Sequence, residues 1–483
     1  MRTFVFLPDI AFAVAAVSTA CSDSGSLVSG NAVTGGTTGA AGRATGPSGA
    51  SGSNVDTGMS GGGGSGSAGA PGGSGSIEGS GTSSGGTGSG QVVDASSGGN
   101  SSGSDGGTGA DAGDGSQTGD ATDGAASNVW TGTWASSPQG CGSGFGGQTL
   151  REIVHTSIGG TSARVRISNA FGAGTLQVRD VHLAQRTTGS SVDAATDKAL
   201  MFNGQPDVTI PKGMFAVSEG ADFMVKPLSD VAVSFFVVSS NGGTCHQSGF
   251  QTNYSVGGNM VSSATLGGAQ TNGSYYFLSN LDVLNPNAEG AVVTLGASIT
   301  DGYIAPSDAN RRWPNDLAVR IVGANRAVGV LNQGISGDGV MNAVNRFDRD
   351  VLSQPNVKWV IFSDNPINDL GNFNPSAQTE IDQIKGMMAK AHAKGIKWLC
   401  STLTPFQGAN YWAPQKEPGR TAINAFIRGA NSGCDGIVDQ DTATHDPANP
   451  IHYRSDLNAG DNLHPNVAGL QAIADAVDLA LFK

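Results

Sequence analysis

The distribution of apolar residues divides the chain into a long polar tract and a folded part. Between about residues 22 and 127, roughly a third of the positions are glycine, and most others are Ser, Thr, Ala, Asn or Asp. Such a segment buries too little apolar surface to offset the entropy lost on ordering. Residues 21–127 are therefore predicted to be a disordered Gly/Ser-rich linker, whereas the regular apolar runs that begin at Val129 predict a folded part.

From Trp130 to about Leu284, apolar and polar residues alternate in short runs separated by Gly, Asn or Asp. The alternation is clear in residues 163–168 and 230–238, and a period of two is typical of half-buried strands. Many short strands indicate an all-β, sandwich-like accessory domain over residues 128–285.

After residue 285 the pattern changes to buried strands that alternate with amphipathic helices. The predicted strands cover residues 291–295, 328–331, 357–362, 396–403 and 436–438. Helix patterns begin at Pro314, after Ser376 and near Asn466. Over residues 286–483 this alternation predicts an α/β fold with a parallel sheet covered on both faces. Ligands of such folds bind at the carboxyl ends of the strands, so the polar residues that follow them are candidate site residues.

The net charge of −13 argues against binding to nucleic acid or to an acidic membrane surface by charge, because both require clustered Lys or Arg. Roughly eight of these negative charges lie on the linker. The folded part is therefore only mildly acidic, and no nucleic-acid partner is expected.

The amino terminus has the pattern of an export signal. Residues 1–20 carry an apolar run from Phe4 to Val17, interrupted by Pro8 and Asp9, and small residues follow before Cys21. This pattern predicts a signal peptide. Small residues before a cysteine resemble the bacterial lipoprotein site, in which Cys21 would be acylated and the linker would be a tether of roughly 55–60 Å reach. The alternative is ordinary cleavage after Ala20. The expected location is extracellular, or at the cell surface as an outer-membrane lipoprotein.

Four further cysteines, Cys141, Cys245, Cys400 and Cys434, form an even number that suits disulfides in an oxidising compartment. Three pairings are open. Cys141 with Cys245 and Cys400 with Cys434 are favoured, because each pair then lies within one predicted domain. No C-x-x-C or H-x-x-x-H spacing supports metal ligation instead.

Four polar segments lie where the predicted strands end or where the last helix begins. They are Gly296–Gly302, Asn332–Gly339, Asn365–Asp369 and Asp461–Asn466. Together with residues 309–314, these segments resemble, in order, the four sequence blocks of SGNH hydrolases, the GDSL-like esterases and lipases, and in particular a secreted subgroup with an N-terminal β domain. The resemblance covers roughly residues 290–483. It implies a flavodoxin-like three-layer hydrolase domain and an activity without metal or nucleotide.

Ester hydrolysis needs a nucleophile, a base, a group that orients the base and donors for the tetrahedral oxyanion. Ser298, on a glycine-flanked turn after a strand, is the candidate nucleophile, and His464 is the candidate base. Asp461, three residues earlier, is placed to orient the imidazole and to stabilise its charged form. The family resemblance implies an oxyanion hole made by the backbone N–H groups of Ser298 and Gly337 and the side chain of Asn368.

Each candidate also has a purely structural interpretation. Ser298 and Gly337 could serve only to turn the chain, and Asp461, His464 and Asn368 could serve only at helix ends. The hydrolase interpretation depends on all four segments occurring in the same order at strand ends.

The other histidines are assigned no catalytic role. Four are predicted to be structural: His155, His182, His246 and His392. His445 and His452 precede His464 and lie beside Asp446 and Asp456. Their irregular spacing in a loop rich in Pro and Asn favours a solvated or substrate-facing loop over a metal site.

Two residues depart from the family pattern. Ala297 stands where the family has an aspartate that helps to fix the nucleophile loop, and Pro366 replaces a glycine two positions before Asn368. Neighbouring carboxylates such as Asp301 and Asp338 are candidates to replace the missing acid. Pro366 restricts the backbone and could displace the Asn368 amide.

The leading hypothesis is a secreted or surface-tethered serine esterase that hydrolyses carboxylic esters, with acetylated polysaccharide as a candidate substrate. The alternative is a catalytically weak or inactive SGNH-like protein that binds carbohydrate at the cell surface, a hypothesis motivated by Ala297 and Pro366. Exposed aromatics in the β domain would favour binding, although aromatics in sheets are more often core residues: Trp130, Trp134, Tyr275 and Tyr276. A third hypothesis gives the β domain only a shielding role. No oligomeric state is assigned.

Overall fold

The computed structural model describes residues 129–142 and 144–483. The predicted signal peptide (1–20), the predicted lipid site at Cys21 and the predicted linker (21–127) lie outside the described residues. Among the residues that are described, no helix is both long enough and apolar enough to span a bilayer.

The first half of the described chain is built of strands, as the alternating pattern predicts. The strands are β1 (Trp130–Ala135), β2 (Gln139–Cys141), β3 (Gly146–His155), β4 (Gly160–Ser168), β5 (Leu176–Thr188), β6 (Ser191–Val192), β7 (Lys198–Leu200), β8 (Asp207–Ile210), β9 (Phe215–Val217), β10 (Ala221–Val225), β11 (Asp230–Ser239), β12 (Gly243–His246), β13 (Asn253–Gly257), β14 (Gln270–Asn272), β15 (Tyr275–Tyr276) and β16 (Leu278–Leu284). One 3₁₀ turn, Ala194–Thr196, interrupts them.

These strands pair antiparallel in three sheets. One sheet has the order β1-β16-β4-β10 with β9 beside β4, the second has the order β14-β13-β3-β11-β5-β6 with β7 and β8 beside β5, and the third has the order β15-β12-β2. Apolar residues of all three sheets meet in one buried cluster. Trp134 and Tyr275 lie in it with ring centroids 4.7 Å apart, so these two aromatics are core residues. The prediction of an all-β region is confirmed.

The second half alternates strands and helices. Its elements are β17 (Gly290–Gly296), α1 (Ser298–Asp301), α2 (Trp313–Gly323), β18 (Val328–Gly334), α3 (Val340–Phe347), β19 (Val357–Phe362), α4 (Asn365–Asn372), α5 (Ala377–His392), β20 (Lys397–Ser401), α6 (Glu417–Arg428), β21 (Gly436–Val438), α7 (Gln440–Thr444), β22 (His445–Asp446), β23 (Asn449–Tyr453) and α8 (Val467–Asp475). A π-helical turn, Asp348–Leu352, follows α3, and 3₁₀ turns cover Pro414–Lys416 and Leu479–Leu481.

Five of these strands form a parallel sheet in the order β18-β17-β19-β20-β21. All seven residues of β17 are buried, which requires packing layers on both faces of the sheet. Each of the five strands matches a predicted one. The order also brings the carboxyl ends of β18, β17 and β19 side by side, and three of the four polar segments follow these strands.

The helix ends follow the expected local chemistry. Pro314 lies in the first turn of α2, where its missing N–H costs no hydrogen bond. Ser376 caps α5 by accepting from the Thr379 N–H at 3.1 Å, and Asn466 caps α8 by accepting from the Gly469 N–H at 3.0 Å. These caps confirm the helix starts predicted from the sequence.

The β region covers one edge of the parallel sheet. Strand β18 forms this edge, and its Val330 N–H donates to the Ser157 Oγ at 2.9 Å. The Gly132 carbonyl approaches Gly329 so closely that a Cβ at position 329 would lie 2.0 Å from it. The all-β region therefore covers backbone groups that an open sheet would expose.

Both favoured disulfides are formed. Cys141 pairs with Cys245, which joins β2 to β12, and Cys400 pairs with Cys434, which joins the end of β20 to the loop before β21. Each crosslink lies within one half of the described chain.

Candidate active site

The candidate nucleophile lies on a turn that glycines make possible. Strand β17 ends at Gly296, and α1 begins two residues later at Ser298. A Cβ at position 296 would lie 2.0 Å from the Thr300 Oγ1, so only glycine fits there. Gly302 ends α1 with φ of 96°, in the left-handed region that glycine adopts without strain. The resulting turn places Ser298 at the carboxyl end of a central strand.

The structure brings together the three residues predicted for catalysis. The Ser298 Oγ lies 2.9 Å from the His464 Nε2. The His464 Nδ1 lies 2.6 Å from the Asp461 Oδ2. One carboxylate, one imidazole and one hydroxyl thus form a continuous hydrogen-bonded chain.

The Asp461 carboxylate is held in its ionised form. Burial by itself would raise its pKa, but hydrogen bonds from the His464 ring and from the backbone N–H groups of His464 and Leu463 outweigh burial and lower the pKa to about 2. Its Oδ1 accepts from both of these N–H groups, at 2.9 Å and 3.0 Å. An anion next to the imidazole favours the charged form of the ring.

The loop that carries Asp461 and His464 is fixed by its own backbone. The Ala459 N–H donates to the His464 carbonyl at 2.9 Å, and the Asn466 N–H donates to the Leu457 carbonyl at 2.9 Å. These bonds close the loop just before α8. They hold the imidazole toward Ser298.

The predicted oxyanion donors follow three adjacent strands. Ser298 follows β17, Gly337 follows β18 with φ of 86°, and Asn368 lies in α4, after β19. No described residue accepts a hydrogen bond from the N–H of Ser298 or Gly337. The Asn368 Nδ2 donates to the Asp338 carbonyl at 2.9 Å, which orients the amide and leaves its second hydrogen free.

The two departures from the family pattern are accommodated locally. Asp364, at the end of β19, accepts hydrogen bonds from the N–H groups of Ala297 and Ile299. The candidate replacements Asp301 and Asp338 do not bond these groups, because Asp301 bonds His246 and Ser336 and Asp338 bonds Asn342 and Arg346. Pro366 lies in the first turn of α4, a position that tolerates proline.

A buried arginine links the loops of the site. Arg346 on α3 is 5% exposed. Its guanidinium donates to the Gly296 carbonyl at 2.9 Å, to the Gln333 carbonyl at 2.7 Å and to the Asp338 carboxylate at 2.7 Å. Burial raises the pKa of Asp338, and the charge of Arg346 opposes this rise. Arg346 therefore joins the ends of β17 and β18 to the segment that carries Gly337.

The β region also reaches the site through a histidine. The His246 Nε2 lies 3.0 Å from the Asp301 Oδ1, and its Nδ1 lies 3.0 Å from the Ser137 carbonyl. The other oxygen of Asp301 accepts from the N–H and the hydroxyl of Ser336, at 2.9 Å and 2.7 Å. Since Asp301 is the last residue of α1 and Ser336 precedes Gly337, His246 supports both the nucleophile turn and the adjacent loop.

Sequence reasoning missed Asp364 and Arg346, and it gave His246 only a general structural role. None of the three belongs to a motif, and each acts through contacts with residues distant in sequence. The one signal available in the sequence is that Asp364 lies directly before the third polar segment, at the end of a predicted strand.

The other histidines lie outside this chain of hydrogen bonds. His155, His182 and His392 each pair with an aspartate. Within the described ranges, no group of three or more His, Cys, Asp or Glu side chains is arranged to hold a metal ion. Asp446 and His452 instead line a cleft of about 520 Å³ beside the loop of Asp461, together with Asn449, Tyr453, Ser455, Asn458, Gly460 and Asn462.

An exposed aromatic ring borders the site. The Tyr303 ring centroid lies 4.5 Å from that of His464, and 44% of the tyrosine is exposed. The ring therefore packs against the imidazole and still presents a surface to solvent.

Comparison with known proteins gives the same family as the motifs. Residues 294–472 match the GDSL-like Lipase/Acylhydrolase family. No curated protein matches the chain.

Similar solved structures each match about two fifths of this chain. They include a GDSL-like lipase from Bacteroides thetaiotaomicron VPI-5482, with 19% identity over 40% of this chain and 88% of that chain at a TM-score of 0.33. LAE5, an α/β hydrolase enzyme from the metagenome of Lake Arreo, has 21% identity over 40% of this chain and 95% of that chain, with a TM-score of 0.32. Axe2, an acetylxylan esterase from Geobacillus stearothermophilus, has 20% identity over 39% of this chain and 93% of that chain, with a TM-score of 0.31. The family match and the motifs therefore both place the similarity of this chain to GDSL-like lipases and acylhydrolases within residues 294–472.

Proposed function

We propose that this protein is a serine esterase that hydrolyses carboxylic esters, with Ser298 as nucleophile, His464 as base and Asp461 as the group that orients the base. The observation that carries the proposal is the pair of hydrogen bonds, 2.9 Å and 2.6 Å long, that joins the three side chains. A weakly nucleophilic hydroxyl requires an adjacent base, and that base requires a third group that fixes its orientation.

In the first half of the reaction, the His464 Nε2 takes the hydroxyl proton as the Ser298 Oγ attacks the ester carbonyl. The carbonyl oxygen becomes the oxyanion of a tetrahedral intermediate. The imidazolium then gives its proton to the alcohol oxygen as the bond between carbon and alcohol breaks, which leaves an acyl group on Ser298. Asp461 remains ionised throughout and stabilises the imidazolium.

In the second half, water replaces the alcohol. His464 takes a proton from the water as its oxygen attacks the acyl carbon, and a second tetrahedral intermediate forms. This intermediate releases the carboxylic acid as the Ser298 Oγ recovers its proton from His464. The steps use only side chains of this protein and water.

We assign stabilisation of both oxyanions to the N–H groups of Ser298 and Gly337 and to the Asn368 amide. The two N–H groups donate to no other described residue, so they are available to an incoming oxygen. Loss of one such donor typically costs about 2.7–4 kcal/mol of transition-state stabilisation.

We further propose that the esterase is exported, as a secreted protein or a lipoprotein tethered through Cys21, and that it deacetylates polysaccharides. The signal-like pattern of residues 1–20 and the two disulfides support export. The polar cleft beside Asp461 supports a hydroxyl-rich substrate.

The alternative of an inactive carbohydrate-binding protein is less well supported. It was motivated by Ala297 and Pro366, yet Asp364 accepts hydrogen bonds from the turn at Ala297, and Pro366 lies in the first turn of α4. Trp134 and Tyr275, two of its candidate sugar-binding aromatics, are buried. We therefore favour the esterase.

Covalent labelling tests the assignment of the nucleophile. A fluorophosphonate should modify the full-length protein once, at Ser298, as mapped by peptide mass spectrometry. Labelling should disappear in Ser298→Ala and persist in the control Ser376→Ala, which removes an exposed serine that caps α5. Unchanged labelling of Ser298→Ala would contradict the proposal.

A further inference from the structure

The end of β19 places an acidic residue beside the nucleophile turn. Strands β17 and β19 are parallel neighbours, with Leu295 paired to Phe362. The Ser363 N–H continues this pairing by donating to the Leu295 carbonyl at 2.9 Å. The next residue, Asp364, therefore lies alongside Ala297.

The Asp364 carboxylate accepts three hydrogen bonds from this turn. Its Oδ1 accepts from the Ala297 N–H at 3.0 Å and from the Thr300 hydroxyl at 2.6 Å, and its Oδ2 accepts from the Ile299 N–H at 2.8 Å. The residues immediately before and after Ser298 are thus bonded to the two oxygens of one carboxylate.

These contacts are shielded from water. Asp364 is 3% exposed, and Ala297, Ile299 and Thr300 are 0%, 1% and 0% exposed. Water cannot readily replace the carboxylate as acceptor, so its removal would leave buried N–H groups without a partner. Gly296 permits the close approach, since a Cβ there would lie 2.4 Å from the Asp364 Oδ1.

We propose that Asp364 is a positioning residue that fixes both the nucleophile and the oxyanion donor of Ser298. The proposal rests on the esterase function proposed above. Hydrogen bonds to the N–H groups on either side of Ser298 set the orientation of its own N–H, and Ala297 has no polar side chain that could do so. Displacing a reacting group by about 1 Å can cost roughly 100-fold in rate.

The first test is Asp364→Asn in the full-length protein. The amide keeps the size of the carboxylate, but a donating NH₂ group replaces one of the two accepting oxygens. This NH₂ group would face a donor of the turn, with which it cannot form a hydrogen bond. We expect kcat for p-nitrophenyl acetate to fall about 100-fold and KM to change by less than about threefold, because the loss concerns geometry in the transition state.

A matched control separates positioning from general destabilisation. Asp282 in β16 is also fully buried, and it pairs with Arg164 at 3.1 Å within the β region. Asp282→Asn should lower the free energy of unfolding and leave kcat near that of the parent. If Asp364→Asn behaves in the same way, with lower stability and unchanged kcat, the positioning role is wrong.

Moving the carboxylate provides the decisive variant. Asp364→Ala removes the carboxylate that accepts from the Ala297 N–H, and Ala297→Asp returns a carboxylate to the same turn. We expect the double variant Asp364→Ala/Ala297→Asp to have a kcat at least about tenfold higher than that of Asp364→Ala, since a carboxylate again lies beside the turn. Failure to recover any activity, in a variant that is folded by circular dichroism, would overturn the proposal.

A milder variant covers the case in which Asp364 variants do not fold. Thr300→Val removes only the hydroxyl bond to Asp364 and keeps nearly the same shape. We expect kcat to fall about three- to tenfold, as for a partly loosened catalytic group. Unchanged kcat in Thr300→Val would count against the proposal even if every Asp364 variant were insoluble.

The outcome also distinguishes failure of the esterase function from failure of this inference. If the parent hydrolyses no faster than Ser298→Ala, the esterase function fails. The contact between Asp364 and the nucleophile turn is then tested by urea unfolding. Ala297→Asp should restore part of the free energy of unfolding that is lost in Asp364→Ala. If it restores none, the proposal that this carboxylate holds the turn is wrong.

Discussion

The most informative structural prediction concerns His246, the residue through which the β region supports the site. Both ring nitrogens face oxygen acceptors, the Asp301 carboxylate and the Ser137 carbonyl. The substitution His246→Ala removes both contacts at once. It leaves the Asp301 carboxylate buried at the end of α1, three residues after the nucleophile.

The size of the effect follows from burial. The side chains of His246 and Asp301 are 5% and 2% exposed, and removal of one partner from a buried pair typically costs about 3–5 kcal/mol. Asp301 keeps its two bonds from Ser336, so we expect a loss of about 3 kcal/mol in the free energy of unfolding. Because α1 carries the nucleophile, we also expect kcat to fall about tenfold or more.

A histidine in a similar but more exposed pair provides the control. His155 lies 2.7 Å from Asp230, but their side chains are 20% and 28% exposed. A pair with this exposure contributes about 1 kcal/mol or less, so His155→Ala should change stability only slightly and leave kcat unchanged.

Urea unfolding and p-nitrophenyl acetate kinetics measure the two effects on the full-length protein. Equal stability and equal kcat in His246→Ala and His155→Ala would refute the reasoning. The β region would then act only as a shield over the sheet edge, the third hypothesis drawn from the sequence.

Three further predictions concern the α/β region. Burial, together with the charge of Asp369, raises the pKa of Glu380 to about 8. Between about pH 5 and pH 8 the native state therefore holds a proton that the unfolded state lacks. The free energy of unfolding should fall with rising pH over this range, by no more than about 1.4 kcal/mol per pH unit. In Glu380→Gln, the free energy of unfolding measured in urea should depend less on pH over that range. An unchanged pH dependence would contradict the raised pKa of Glu380. Replacing both Cys400 and Cys434, which are 34 residues apart, by alanine should lower the free energy of unfolding by about 4 kcal/mol; a loss below about 1 kcal/mol would show that the crosslink contributes little. Asp461→Asn should lower kcat about 10⁴-fold with little change in KM, as measured on p-nitrophenyl acetate, and activity near that of the parent would exclude the orienting role.

The sequence was sufficient for the elements that depend on local pattern. Continuous apolar runs predicted the five parallel strands, and capping residues such as Ser376 and Asn466 marked the helix starts. Ser298 and His464 were also predictable, because a turn after a strand and the segment before the last helix fix their places at one edge of the sheet. The structure confirms that they meet at that edge, with the Ser298 Oγ 2.9 Å from the His464 Nε2.

The supporting contacts were beyond the reach of pattern analysis. Asp364 bonds Ala297 because β17 and β19 are neighbours in register, a relation that no local motif expresses. Arg346 reaches two carbonyl groups only after α3 has packed against the sheet, and a guanidinium that donates to backbone carbonyls leaves no signal in the sequence of its partners. His246 lies in a different half of the chain from Asp301, so their pairing depends on how the two halves pack.

The central claim is that Ser298, activated by His464, hydrolyses carboxylic esters. The most direct measurement is the hydrolysis of p-nitrophenyl acetate and of longer p-nitrophenyl esters by the full-length protein, beside Ser298→Ala and His464→Ala. The account predicts turnover by the parent that falls by about 10⁴-fold or more in both variants, and the preferred acyl length then separates a deacetylase from a lipase. A folded parent that hydrolyses no ester faster than the two variants would contradict the account.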